Sequence, residues 1–333
     1  MALSSARRQR LRYALEGMGA YTVVFLIRLL PVRAASALGG WLGRTLGPRV
    51  KVSRRAETNL RLAFPEKSDA ERQAILRGMW DNLGRTGFEY PHMRRLWEGD
   101  LFDRVAAVGF GKIMQAAERG EKVTVSGKRI EIVGVENALE LYFRPGARIL
   151  FSGHLGNWEI LPLFANILGM EAQVIFRRPN NPWVDRLLIN MRGDHGGLVP
   201  KGVLGAVLSR STLEKGGLLG LLADQKHNRG VAVPLFGRPA MTAPMVAKLA
   251  LQYRCPVHGG WVQRLDGLNF RVTIEPPLKI PDSGDEEADV AAILAQVNES
   301  YERWIRESPE QWMWVHRRWP RDAHNEEARR SAA

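Results

Sequence analysis

The residues in this chain best suited to chemistry lie between Phe151 and Ile160, in the run FSGHLGNWEI. His154 and Glu159 stand there with four residues between them. An imidazole can take a proton from an attacking hydroxyl. A carboxylate on its other ring nitrogen would fix its tautomer and its aim. On a regular helix, residues five apart do not share a face. The two side chains meet only if His154 sits in a turn ahead of a helix and folds back toward Glu159. Ser152, Gly153, Gly156 and Asn157 give that stretch its turn character. A lone histidine beside a glycine turn is more often structural than catalytic, so the surrounding elements have to decide.

Those elements read as strand, turn, helix. Ala147 to Leu150 is a short apolar run of buried-strand type, and the residues after Glu159 have helical character to 168. A Gly-rich turn between a strand and a helix is a favourable place for a reactive side chain. The alternation continues, with expected strands at 147–151, 172–177, 218–222, 257–263 and 269–275. Helices are expected near 157–168, 182–192, 203–215 and 242–252, and a last one near 286–306. This pattern predicts an α/β fold, a central mixed sheet flanked by helices. Residues 50–110 read as wholly helical, with a capping box at Ser68-Asp69-Ala70-Glu71. Val123 to Val125 and Ile130 to Val133 read as a hairpin about Ser126 to Arg129.

In an open α/β sheet, ligand groups collect beyond the carboxyl ends of strands. Arg177, Arg178 and Asn181 follow the second expected strand, and Asp224 and Gln225 follow the third. An arginine there can bind a phosphate or stabilise an oxyanion. A solvated surface pair is an equally common reading. Val233 to Gly237 reads as an apolar loop, followed by an N-cap at Thr242. No spacing brings His154, His195 and His227 together as metal ligands, and no HExxH, CxxC, GxSxG or Walker A run occurs. No metal or cofactor is expected.

The chain has 333 residues and 45% hydrophobic content, enough for a sizeable core. Its single cysteine, Cys255, precludes an intramolecular disulfide and reads as a buried structural thiol. A net charge of +13 implies an anionic partner. The basic residues are spread along the chain and form no nucleic-acid motif, so a lipid surface or an acidic protein fits better than nucleic acid. Four arginines among residues 7–12 precede an apolar segment from Tyr13 to Leu30, interrupted by Glu16 and Arg28. Residues 34–46 follow with Leu38, Trp41, Leu42 and Leu46 at helical spacing. This pattern predicts a membrane-anchoring segment over 1–48, an enzymatic domain over 49–320 and a polar tail over 321–333.

HLGNWE at 154–159, RRPNNP at 177–182, ADQ at 223–225, the VPLFG run with its following threonine, and QWMWVHRRW at 311–319 occur in this order. Together they resemble the late acyltransferases of lipid A biosynthesis, of the lauroyl and myristoyl type. This is a branch of the lysophospholipid acyltransferase-like superfamily, and the resemblance covers roughly residues 45–320. Phe176-Arg177 stands where the family often has tyrosine before its Arg-Pro pair, so Arg178 is the matching arginine. The resemblance implies acyl transfer from acyl carrier protein to a hydroxyl of a Kdo-modified tetraacylated glucosamine disaccharide. The place implied is the cytoplasmic face of the inner membrane. His154 would be the general base, Glu159 its orienting partner and Arg178 an oxyanion stabiliser. Gly156, Asn157, Arg177, Asn181, Asp224 and Gln225 would contact substrate. Another glycolipid or a glycerophospholipid is the alternative acceptor.

Overall fold

The computed structural model describes residues 5–96, 101–167, 172–176, 178–192, 197–200 and 202–330. The helical N-terminal part comprises α1 (Ser5–Leu29), α2 (Val32–Leu46), α3 (Ser53–Ala63), α4 (Asp69–Glu89), α5 (Met93–Leu96), α6 (Leu101–Val108) and α7 (Phe110–Glu118). Then follow β1 (Thr124–Ser126), β2 (Ile130–Val133), α8 (Val135–Phe143), β3 (Arg148–Ser152), α9 (Ile160–Ile167), β4 (Ala172–Phe176), α10 (Pro182–Arg192) and β5 (Gly197–Pro200). The chain continues through α11 (Val203–Glu214), β6 (Leu218–Leu222), β7 (Val231–Leu235), β8 (Arg238–Thr242), α12 (Met245–Tyr253), β9 (Val257–Asp266), β10 (Asn269–Pro277), α13 (Glu286–Glu307) and α14 (Arg321–Arg330).

Eight strands form one mixed sheet in the order β1-β2-β10-β9-β3-β6-β4-β5. Its centre is parallel: β3 pairs with β9 and β6, and β4 with β6 and β5. Parallel strands covered on both faces read as continuous apolar runs, as RILFS and LLGLL do here. On one face Phe151 and Leu219 pack with side chains of α11, α12 and α13, among them Leu213, Val246 and Trp304. On the other face Leu218, Val262 and Phe270 pack with Leu141 of α8 and Leu163 of α9.

The expected α/β architecture is therefore present, and so is the β1–β2 hairpin. The capping box of α4 forms as read, with Ser68 and Glu71 each satisfying the other's backbone N–H. Two local readings are corrected. Val233 to Gly237 is not a loop: β7 and β8 pair as an antiparallel hairpin about Phe236-Gly237. Both turn residues have positive φ, the requirement of a two-residue primed turn, but Phe-Gly lacks the usual Asn-Gly signature. Thr242 closes β8 instead of capping a helix. Its hydroxyl donates to the Ala240 carbonyl and accepts from the Arg318 guanidinium at 2.8 Å.

The N-terminal helices pack by small residues. Gly39 and Gly43 of α2 lie so close to α4 that an added Cβ would sit 2.4 Å from Gly84 O or 2.0 Å from Trp80 O. The apolar residues Leu38, Trp41 and Leu46 point outward. Leu11, Leu15, Met18, Phe25 and Leu29 of α1 are exposed too. Among the described residues, no helix is long and apolar enough to cross a membrane.

A buried polar cluster joins α4 to the sheet. Glu89 ends α4 fully buried and takes Arg264 of β9 in a two-pronged ion pair, at 2.6 and 2.9 Å. The same carboxylate accepts from Ser36 Oγ at 2.6 Å and Asn157 Nδ2 at 2.8 Å. Arg264 also donates to Asn82 Oδ1 at 3.0 Å, and Asn82 Nδ2 donates to the Gly156 carbonyl at 2.9 Å. The turn at 156–157 is thus tied to α4 and β9. Removing one partner of a buried ion pair leaves the other charge uncompensated, at about 3–5 kcal/mol. Arg264→Met is expected to lower stability by that amount in urea unfolding; a loss under about 1 kcal/mol would show the cluster does not hold the fold.

Candidate active site

His154 lies two residues past the end of β3, and Asp224 lies two residues past the end of β6. These strands are parallel neighbours in register, with Ser152 opposite Leu222. Equal overhangs from such a pair finish side by side. The His154 backbone N–H donates to Asp224 Oδ2 at 2.8 Å, and its ring Nδ1 meets Oδ1 at 2.8 Å. Trp312 Nε1 donates a third bond to the carboxylate, at 2.9 Å. Burial would push Asp224 up. The neighbouring His154 charge and the bonds from its ring, its amide and Trp312 outweigh that and hold Asp224 well below the usual carboxylate range. Asp224 therefore stays ionised near neutrality, keeps the proton on Nδ1 and leaves Nε2 as the basic nitrogen.

The C-terminal QWMWVHRRW run locks this turn from above. Leu155 and Trp312 form an antiparallel bridge. The Gly156 N–H donates to Gln311 O at 3.2 Å, and the Met313 N–H donates to His154 O at 3.1 Å. Gly156 has φ +55°, and a Cβ there would lie 2.2 Å from Val262 O, so the turn reaches the sheet only with glycine at this place. The ring of Trp158 stands edge-on to His154, with centroids 5.1 Å apart, and His316 lies 6.2 Å away.

His154 opens onto a cavity of about 350 Å³, within the range of small-molecule sites. Its polar lining is Ser152, His154, Glu159, Gln225 and His316. The rest is apolar, drawn from β3, β4, β6, α9 and α10, including Leu150, Val174 and Leu188. It follows β6 from Leu222 back to Leu218, four steps of about 3.3 Å and so about 13 Å in all. Gly220 stands midway, and a Cβ there would point at Val174 Cγ2, 3.4 Å off. A base at one end of a narrow apolar slot suits a reaction at the polar head of a long apolar chain.

The structure redistributes the roles expected of the other site residues. Glu159 faces the same cavity as His154, but the carboxylate on ring Nδ1 is Asp224. Asp224 bonds the ring and the backbone of His154. Arg178 turns away to Asp185, with its Nε at 3.0 Å from Oδ2, and it does not line the cavity. Gly156 and Asn157 serve the turn: the Gly156 amide is taken by Gln311, and Asn157 is fully buried on Glu89. Asn181 ties α10 to α1, donating to Tyr13 O and Glu16 Oε2, and its Oδ1 caps Trp183 N. Gln225 does line the cavity. Arg177 and His195 lie outside the described residues. Among the described residues, no group of three or more His, Cys, Asp or Glu is placed to hold a metal ion. Trp312 and His316 were missed as individual site residues, although the motif that contains them was plain in the sequence.

A profile of bacterial lipid A biosynthesis acyltransferases matches residues 3–321. The chain belongs to that family. It is an acyltransferase. It is 26% identical to a lipid A biosynthesis lauroyltransferase of Escherichia coli K12, over 92% of each chain. It is also 26% identical to the myristoyltransferase of that organism, over 87% of this chain and 82% of the other. A lipid A biosynthesis acyltransferase of Haemophilus influenzae is 25% identical over 88% of this chain and 83% of its own.

The Asp224 contact has a spectroscopic consequence. In ¹⁵N-resolved NMR of the neutral ring, His154 is expected in the Nδ1–H tautomer, and Asp224→Asn is expected to mix the two tautomers. A wild-type ring protonated on Nε2 would contradict the geometry.

Proposed function

We propose that this acyltransferase moves a fatty acyl chain from the thioester of acyl carrier protein to a hydroxyl of a Kdo-modified tetraacylated glucosamine disaccharide. The observation that carries the reading is the Asp224-oriented His154 at the polar end of the apolar cavity. The acyl chain lies along β6, which brings its thioester carbonyl to the cavity mouth. His154 Nε2 takes the proton of the acceptor hydroxyl as that oxygen attacks the carbonyl carbon. The tetrahedral intermediate then collapses, the C–S bond breaks, and the proton on His154 passes to the departing sulfur. No covalent enzyme intermediate is needed.

An anionic acceptor suits the rim of the site. Arg317 and Lys226 directly follow the cavity-lining His316 and Gln225, and Arg55 donates to the Val315 carbonyl at 3.3 Å. Burial first, and then the charges of Arg317, Arg55 and Lys226, push the nearby His324 down to about 4. Three cations gathered in one place favour a phosphorylated headgroup.

Two experiments test this reading. With a panel of acyl carrier protein thioesters and a phosphorylated disaccharide lipid acceptor, the wild-type chain is expected to transfer, and His154→Ala to lose about 100-fold or more in kcat. In the same panel Gly220→Leu is expected to move the preference to shorter chains. An active His154→Ala enzyme, or transfer only to glycerophospholipid, would overturn the assignment. The outward apolar faces of α1 and α2, together with the N-terminal arginines, support a location on the cytoplasmic face of the inner membrane, with both helices in the bilayer interface. Wild-type protein is expected to sediment with vesicles rich in anionic lipid, and Leu38→Ser with Trp41→Ser to weaken that binding. Equal sedimentation of both proteins would exclude α2 from the contact.

A further inference from the structure

An oxyanion needs a hydrogen-bond donor, and three amides of the turn that carries His154 are already engaged. The His154 N–H is on Asp224, the Leu155 N–H on the Gly153 carbonyl at 2.9 Å, and the Gly156 N–H on Gln311 O. The matching arginine, Arg178, points to Asp185. A side chain that lines the cavity is a further source of such a donor.

Ser152 is the last residue of β3. Side chains alternate along a strand, so Leu150 and Ser152 face one side and Phe151 the other. Phe151 stacks on Trp304 at 5.6 Å, and Leu150 and Ser152 line the cavity. The Ser152 backbone carbonyl is pinned twice, by Tyr301 Oη at 2.8 Å and by the Ala223 N–H at 3.1 Å. Ser152 is 5% exposed, and its Oγ has no hydrogen-bond partner among the described residues. A buried hydroxyl left unpaired costs about 1–3 kcal/mol, and apolar replacement would avoid that cost. An orphaned donor at the reacting end of the slot, next but one to the base, is a feature of a site that is completed by its substrate.

We propose that the Ser152 hydroxyl is a catalytic hydrogen-bond donor to the carbonyl oxygen of the acyl thioester. The proposal rests on the acyl-transfer reading above and assigns the oxyanion contact within it. As the acceptor oxygen forms its bond to the carbonyl carbon, the carbonyl π electrons move onto oxygen, and Ser152 Oγ–H donates to the charge that develops. The acceptor proton resides on His154 throughout. When the C–S bond breaks, the C=O bond reforms and the sulfur takes that proton. Ser152 makes no covalent bond and keeps its own proton. Its donor strength is realised most fully in the tetrahedral state, so it lowers the barrier more than it tightens ground-state binding.

The test combines kinetics with vibrational spectroscopy on the full chain. Ser152→Ala is expected to fold normally and to reduce kcat by about 100-fold while KM for the thioester stays within about twofold. Ser152→Thr, which keeps the hydroxyl, is expected to recover most of that loss. In the His154→Ala background, bound acyl carrier protein thioester carrying a ¹³C-labelled carbonyl is read by infrared difference spectroscopy. Its carbonyl stretch is expected at lower frequency with Ser152 present than with Ser152→Ala added. Unchanged kcat in Ser152→Ala, or the same stretch in both backgrounds, overturns the assignment. An acyl group found covalently on Ser152 by intact-protein mass spectrometry overturns it too, in favour of a nucleophile. Failure of the wild-type chain to bind or transfer any acyl thioester would instead overturn the underlying acyl-transfer reading, and this assignment with it.

Discussion

The site depends on one buried carboxylate that must not be left alone. Asp224 is almost wholly enclosed, and an isolated ion there would be very unfavourable. Three donors meet it: two from His154 and one from Trp312. The partners that keep Asp224 ionised are the ones whose geometry it sets. The ring is gripped by Nδ1 while the backbone of the same residue is gripped by the other oxygen, so neither tautomer nor position is free. Trp312 carries this constraint to the C-terminal segment, which is why QWMWVHRRW belongs to the site even though it lies far along the chain.

Around that point the molecule divides its interior into two kinds of packing. The cavity side is apolar and narrow, and the side under the turn is polar and densely hydrogen-bonded. Glu89, Arg264, Asn82, Asn157 and Gln311 could in principle be replaced by a hydrophobic cluster of similar volume, and such replacements are often neutral or stabilising. An apolar cluster would not fix direction. Arg264 donates to Glu89 and Asn82 and exchanges two bonds with Gln311 through its own backbone, at 2.7 and 2.8 Å. Each bond has an angle as well as a length, and together they set where the Gly156 carbonyl lies. The gain is precision at His154, two residues away, more than stability.

The sequence made the central strands, the long helices and the place of His154 in a turn after a strand legible, because those signals are local. Apolar runs mark β3 and β6, a capping box marks α4, and the glycine turn marks His154. The partner of His154 was not legible. Local spacing pointed to Glu159, five residues on, whereas Asp224 is 70 residues away and arrives through strand register. Register between distant parallel strands leaves no trace in either strand alone. The same reasoning explains Asn157 and Asn181. Polar residues beside a turn read as ligands, and only tertiary contacts, with Glu89 in one case and α1 in the other, show them to be ties. The β7–β8 hairpin escaped notice because its turn uses Phe236 in a conformation that Asn or Gly more often supplies. Ser152 had no sequence signal beyond its place in the motif. Its interest comes from a partner it lacks.

In the proposed reaction, the division of labour between slot and base also explains why so few polar groups suffice. Burying a methylene is worth about 0.8 kcal/mol, so a chain filling a slot some 13 Å deep brings several kcal/mol of gross binding energy from atoms that do not react. That energy can be used to hold the carbonyl at the mouth against the loss of freedom that an ordered encounter requires. With placement secured by apolar contacts, the reacting end needs only a base whose proton is correctly placed and a donor for the developing charge. A charged oxyanion donor within the slot would bring its own desolvation penalty, so a neutral hydroxyl suits the apolar walls better than a guanidinium does. On this view the turning of Arg178 toward Asp185, out of the cavity lining, is what the apolar character of the slot requires.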